Sequence, residues 1–405
     1  MRIGIYVGSL NARAGGAFTF QRVILNELNR NKRNHTFYLF CDDSVVESDY
    51  ANLKVITRQP CDIKATHSAW KKIYHHYFYT NQQYVASNYY QNYLQRLLYE
   101  KKIDLLWFLT PETYHFDVPY IFTVWDLQHR LQPYFPEVSF AANGFSERER
   151  LYSSLLPRAT YIVVGNEAGK EEIERFYGVP SWRIKINPMP TPQFVFDKTI
   201  ISSNNLNKFN IKKPYLFYPA QFWPHKNHIV ILYAIKILKE KYGQSFDVVF
   251  AGSDKGNMPY IKEVVSLLGH QQNVHFVGFV DLAFLVDLYK NAFALVYASF
   301  FGPDNIPPLE AFGLECPVLA ARVSGAQYQL EGAALLFNPS SEGELVEQIL
   351  QLQNNHDEKK NRLNEGLKRA YQYSSKYYIE NMIKTFDEFE SIRRCWSSYV
   401  PYKSI

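Results

Sequence analysis

The residues of this chain best suited to chemistry lie between Phe300 and Ala311, in the run Phe300-Phe301-Gly302-Pro303-Asp304-Asn305-Ile306-Pro307-Pro308-Leu309-Glu310-Ala311. This run follows an apolar stretch, residues 294–298, that reads as a buried strand. It leads into a helical pattern from Pro307 to Glu315. Prolines suit the first turn of a helix, where backbone N–H groups lack intrahelical partners anyway. A strand, a tight Gly/Pro/Asn loop and a helix start together gather free amides and the positive end of the helix dipole. Such a corner binds anions. Glu310, one turn in, is placed to accept hydrogen bonds from a diol such as a ribose. Phosphate and ribose side by side imply a nucleotide.

The elements that must hold this corner alternate along the chain. Residues 3–7 read as a first strand, then a loop with Gly15-Gly16, then a helix over about 19–29. Further strands are expected at 37–40, 104–109, 120–124 and 161–164, and a helix at 170–177 closed by Gly178. Residues 187–213 differ, with Pro188, Pro190, Pro192 and a polar Ser/Asn cluster. They read as a linker. A second alternation follows, with strands at 215–218, 246–251, 274–277, 294–298 and 318–321 and helices between them. Residues 342–394 read as mostly helical. Alternating strands and helices predict an α/β fold of two doubly wound parallel sheets. The expected division is 1–190, a linker at 191–213, a second domain at 214–375, and a helix at 376–405 crossing back to the first domain.

Length and composition agree with two cores. The chain has 405 residues, 47% apolar and 20% charged, with a modest net charge of +5. That charge does not by itself indicate nucleic acid. Cys41, Cys61, Cys316 and Cys395 form no C-x-x-C pair, so zinc and redox motifs are not expected. The opening MRIGIYVGSL reads as a strand, not a signal peptide. No run of 18 apolar residues exists, so no spanning helix is expected. The default location is cytoplasmic. Asp42-Asp43 superficially suggests a metal pair, but adjacent loop aspartates are more often solvated or capping.

Taken in order, Gly15-Gly16, Trp125-Asp126-Leu127-Gln128-His129, Pro224-His225-Lys226-Asn227, Gly302 to Glu310 and Gly313-Leu314-Glu315-Cys316-Pro317-Val318 carry a resemblance over nearly the whole chain. The chain resembles glycosyltransferases of family 4, which have the GT-B fold of two Rossmann-like domains facing a cleft. The resemblance implies a retaining, metal-independent glycosyltransferase. Its co-substrate would be a UDP-, GDP- or dTDP-linked sugar, with no further cofactor. It implies that Gly16 approaches the donor and acceptor, that Lys226 grips the donor pyrophosphate, and that Glu310 binds the ribose. Phe279, in Gly278-Phe279-Val280, would lie near the nucleobase. A fixed cation is what the reaction needs, because breaking the sugar–phosphate bond leaves growing negative charge.

The chain also departs from the family pattern. The first glutamate of the E-x7-E motif should fall at Gly302; Asp304 is the substitute carboxylate, with the Asn305 and Ile306 amides as further donor contacts. The expected arginine near Gln221 is absent, so Lys226 carries more of the charge, with His225 or His228 as helpers. Trp125 stands where relatives carry histidine. It cannot act as a base but can stack on a sugar. Asp126 is kept as a catalytic candidate, and His129 is either acceptor-side or structural.

Residues 64–103 carry six Lys/Arg against one Glu, with eight tyrosines and Trp70. This stretch is either a basic aromatic surface for an anionic membrane or a lipid-linked acceptor, or a helix packed on the first domain. The first would put the protein at the inner face of a membrane. The expected acceptor is a glycan or lipid-linked saccharide in surface polysaccharide synthesis. Two alternatives stay open: a non-catalytic nucleotide-binding or scaffolding relative, and a glycosyltransferase acting on nucleic acid. The second fits the tyrosine density less well.

Overall fold

The computed structural model describes residues 1–8, 15–30, 34–41, 47–57, 81–111, 114–140, 144–200, 206–212 and 214–396, with backbone only for 47–48 and 81–90. Strands β1 (Arg2–Tyr6), β2 (Thr36–Cys41), β3 (Lys54–Thr57), β4 (Leu105–Phe108), β5 (Tyr120–Thr123), β6 (Tyr161–Val164) and β7 (Ile184–Ile186) form one sheet in the order β3-β2-β1-β4-β5-β6-β7. Strands β8 (Tyr215–Pro219), β9 (Asp247–Ala251), β10 (Val274–Gly278), β11 (Ala294–Tyr297), β12 (Val318–Ala321) and β13 (Ala334–Phe337) form the second, in the order β10-β9-β8-β11-β12-β13. Every pairing is parallel. The central strands are buried along their whole length, as in β4 LLWF and β11 ALVY. Continuous apolar runs are what a parallel sheet covered by helices on both faces requires.

In both sheets the strand order reverses beside the first strand, between β1 and β4 and between β8 and β11. Loops leaving the carboxyl ends of such strands diverge and open a crevice. The two reversal points are the places where ligand-binding loops belong. Gly15 and Gly16 follow β1, Trp125 and Asp126 follow β5, and the loops to Lys226 and to Glu310 follow β8 and β11.

The strands at β3, β7 and β13 are not legible in the sequence, and each is an edge of its sheet. They are three or four residues long, too short for a periodic signal, and each is recruited by one neighbour. The helix expected at Pro307–Glu315 runs over Ile306–Gly313. The helix expected at 170–177 begins earlier, at Glu167, because the Asn166 side chain accepts from the Gly169 amide at its start. Gly178 closes it in the left-handed conformation at φ 62°.

The chain crosses between the sheets twice, at Asn187–Thr191 and at Ser374, where Thr191 and Ser374 form a parallel bridge. The last helix, Ser375–Arg393, packs on the first sheet with Tyr378, Ile379, Met382, Phe386 and Phe389 buried. Trp107 of β4 meets Tyr378 at 6.4 Å and Phe386 at 5.8 Å. Polar contacts pin the helix along its length: Ser375 to Glu27 at 3.0 Å, Lys185 to Glu388 at 2.9 Å and Arg393 to Asp104 at 2.8 Å. Among the described residues no helix is long and apolar enough to cross a membrane.

Phe386 is fully buried in this seam. Phe386→Ala is expected to lower stability by about 3–5 kcal/mol, from lost apolar burial and the cavity left behind. The drop is read as a shift in the chemical-denaturation midpoint.

Candidate active site

Lys226 ends a short turn, Pro224–Lys226, that leaves β8. Asn227 follows in the left-handed region at φ 54°, a conformation asparagine tolerates. Its side-chain amide donates to Ala298 O at 3.3 Å and Pro339 O at 2.7 Å, which seats the turn against the end of β11. Tyr218 at the end of β8 donates its hydroxyl to Lys226 O at 2.9 Å. The Lys226 ammonium donates to the Tyr297 hydroxyl at 3.1 Å and lies over the rings of Tyr297 and Phe301. Among the described residues it makes no ion pair, so its charge is uncommitted.

Across the reversal point, Asn305 precedes the helix Ile306–Gly313 without capping it. Its side chain instead accepts from Tyr297 Oη at 2.6 Å and donates to Gly302 O at 2.6 Å. Gly302 has φ 123°, and a β-carbon there would strike the Asn305 amide, so the missing glutamate at this position is replaced by a tightened loop. Glu310 is buried one turn along, and Tyr289 Oη donates to its Oε2 at 2.7 Å. Burial pushes its carboxyl up to about 7 against the lowering effect of that bond. Oε1 has no described partner. At the crevice that the strand reversal opens, Tyr297 and Asn305 thus join the cation to the helix start, and Glu310 is buried one turn further along.

The first domain closes over this crevice. Gln132 Nε2 donates to Phe300 O at 3.0 Å, and Phe135 meets Phe300 at 5.7 Å. His225 Nδ1 pairs with Glu137. A β-carbon on Gly15 would sit 3.4 Å from the Gln221 amide, so the glycine loop lies against the second domain. Gly16 opens the helix Gly16–Arg30 with open space around it. Ile306 turns its side chain into the core of the first domain. Phe279 stands 73% exposed after β10.

Several expected roles are not what the structure shows. Asp304 does not offer a free carboxylate to a sugar. Its Oδ2 accepts from the Met189 amide at 2.5 Å and its Oδ1 from the Gln329 amide, so it bridges the crossing chain and the second domain. Burial pushes it up to about 7. Asp126 is paired with Arg148 at 2.8 Å and accepts from the Gln128 amide at 3.0 Å. Burial acts to raise its carboxyl, but Arg148 outweighs this and holds it below the usual range, which makes it a weak base. His129 is structural. It is fully buried, with Nε2 3.1 Å from Tyr177 Oη, and burial then Arg148 push it down to about 4. Trp125 is half-buried and packs edge-on against Phe20 at 5.8 Å, its buried Nε1 lacking a described partner. Neither histidine near Lys226 assists it. His225 is held by Glu137, and His228 is buried against Phe222 and Tyr218 and pushed down to about 3, chiefly by burial.

Sequence reasoning missed Tyr289, Tyr297, Gln329 and Glu137. The two tyrosines lie in runs that read as plain apolar helix and strand. Glu172 was also unmarked; burial and then the Asp126 charge push its half-buried carboxyl up to about 7 on the first domain's side. Of the basic segment 64–103, residues 64–80 lie outside the described residues, and 81–100 form a helix. Asp42-Asp43 also lies outside them.

Residues 202–369 match the family described as glycosyl transferases group 1. The chain is 23% identical to the O-antigen chain mannosyltransferase RfbU of Salmonella typhimurium over 273 residues, 67% of this chain and 70% of the relative. It is 22% identical to the O-antigen chain mannosyltransferase B of Escherichia coli over 228 residues, 56% of this chain and 60% of the relative. Among solved structures it is similar to sucrose-phosphate synthase from Thermosynechococcus elongatus, with TM-score 0.75, 15% identity and coverage of 97% of this chain and 100% of the other. It is similar to Anabaena Alr3699/HepE in complex with UDP-glucose, with TM-score 0.69, 15% identity and coverage of 96% and 100%. The fold is therefore GT-B. The chain carries a glycosyl transferases group 1 domain and is a glycosyltransferase.

An ionised Glu310 is a stronger hydrogen-bond acceptor than a protonated one. Because burial raises its carboxyl to about 7, nucleotide affinity should climb as pH rises from about 6 to about 8. Titration calorimetry across that range, with E310Q giving a flatter dependence than wild type, checks this.

Proposed function

We propose that the protein transfers a sugar from a nucleoside-diphosphate donor to a hydroxyl of a growing surface polysaccharide or its lipid-linked precursor, with retention at the anomeric carbon, as in family 4. The observation that carries the reading is the placement of Lys226 on the turn after β8 and of Glu310 on the helix after β11, two adjacent strands at the strand-order reversal. The relatives' names, O-antigen mannosyltransferases and a UDP-glucose complex, support a donor of this class and a glycan acceptor.

In this mechanism the bond from the anomeric carbon to the phosphate oxygen breaks while an acceptor hydroxyl attacks from the same face. Lys226 neutralises the charge growing on the leaving diphosphate, and the leaving oxygen takes the acceptor proton. Glu310 holds the ribose. With Asp126 and Asp304 both committed to other partners, positioning and charge stabilisation carry the rate. Because Lys226 supplies the countercharge, transfer is proposed not to need a metal and to persist in EDTA.

A thermal-shift panel with UDP, GDP, dTDP and ADP and their sugars is expected to give one selective rise. K226A should fold normally and lose roughly 10²–10³ in transfer rate, the loss typical of removing one preorganised electrostatic contact. No shift with any nucleotide, or an unchanged K226A rate, would contradict the assignment.

The basic, tyrosine-rich stretch 64–103 is proposed to bring the acceptor-side domain to anionic lipid. In vesicle flotation the protein should rise with anionic vesicles and not with neutral ones. Absence from both would reject the contact.

A further inference from the structure

We propose that Tyr297 is the positioning residue of the diphosphate site, its hydroxyl tethering Lys226 to Asn305 so that the ammonium meets an incoming nucleoside diphosphate in one place. The inference rests on the reading of Lys226 as the countercharge of the diphosphate. It concerns a residue that the sequence presents only as part of a buried strand.

The direction of every hydrogen in this chain of bonds is determined by its neighbours. Asn305 Nδ2 is 2.6 Å from Gly302 O, a group that can only accept, so the amide nitrogen faces Gly302 and the amide oxygen faces Tyr297. Tyr297 must then donate its single hydroxyl proton to Asn305 Oδ1, at 2.6 Å. That leaves the phenol lone pairs for the Lys226 ammonium at 3.1 Å. Lys226 thus spends one of its three N–H donors on Tyr297 and keeps two for a ligand.

The anchorage continues beyond Asn305. Its backbone N–H donates to Gln329 Oε1 at 3.1 Å, while Gln329 Nε2 donates to Asn305 O at 2.9 Å and to Asp304 Oδ1. Asp304 in turn receives the Met189 amide of the crossing chain. The Lys226 side chain is therefore joined, bond by bond, to the seam between the domains. Its backbone is held separately by Tyr218, whose ring packs edge-on against Tyr297 at 5.8 Å. A lysine side chain held at its tip has already lost the rotamer freedom that ligand binding would otherwise remove.

The experiment is a double-mutant cycle. Wild type, Y297F, K226A and Y297F/K226A are titrated calorimetrically with UDP, GDP, dTDP and ADP. Phenylalanine keeps the ring against Tyr218 and under the ammonium and removes only the hydroxyl. Y297F is expected to weaken the diphosphate that wild type binds by about two- to ten-fold, the range for ordering one long side chain on binding. In the K226A background the same substitution should change affinity less than two-fold, because its effect passes through Lys226. N305S, which cuts the other end of the tether, should follow Y297F in both backgrounds and serves if Y297F does not fold. Equal binding by Y297F and wild type overturns the inference, as does a Y297F loss that persists in full without Lys226. Failure of wild type to bind any of the four overturns the underlying reading, and this inference with it.

Discussion

A buried carboxylate, Asp304, ties the second domain's loop to the crossing chain and is one of the bonds that hold the two halves of this protein in register. Asp304 sits in the loop that leads to the helix Ile306–Gly313, yet it binds the Met189 amide of the crossing chain and the Gln329 side chain. Gly165 of the first domain passes so close that any β-carbon there would strike the Asp304 carboxylate. Next to it, Asn166 donates to Pro303 O at 2.7 Å. These bonds lie out of water, where a polar group left unpaired costs about 1–3 kcal/mol. The loop between β11 and the helix Ile306–Gly313 is thereby anchored to the first domain and the crossing chain.

Among the described residues, several charges near the domain seam are matched by partners while Lys226 makes no ion pair. Arg148 is matched by Asp126, and Arg130 by Glu149. His225 is pushed down to about 4, chiefly by burial, so it meets Glu137 as a neutral donor and adds no positive charge beside Lys226. The Lys226 ammonium and the helix start beside it stay open to an anionic ligand. Closing the first domain over these groups strengthens their field, since water no longer screens it. The same closure that brings Gln132, Phe135 and Glu137 onto the second domain is thus part of the electrostatics of the site.

The departures from the family pattern find physical substitutes in the loop itself. Without a glutamate at 302, the chain adopts a glycine conformation and folds the Asn305 amide back onto the Gly302 carbonyl. Without a histidine at 125, the tryptophan packs beside Phe20 against the first domain's core.

The strand–loop–helix corners at Lys226 and Glu310, the central strands of both sheets and the long helices were legible in the chain alone. Their causes are local: glycine and proline restrict dihedrals, apolar periodicity marks buried faces, and a helix start carries its own dipole. Edge strands of three or four residues were not legible, because a single neighbour defines them. Nor were the partners of Asp304, His129, Trp125 and Tyr297. Asp304 meets Met189, 115 positions away, and Gln132 meets Phe300, 168 positions away. Whether a polar side chain serves a ligand or the scaffold depends on which groups folding brings within hydrogen-bond reach. Residue type and spacing name the chemistry a side chain can do; packing at long sequence separation selects which of those chemistries remain open to it.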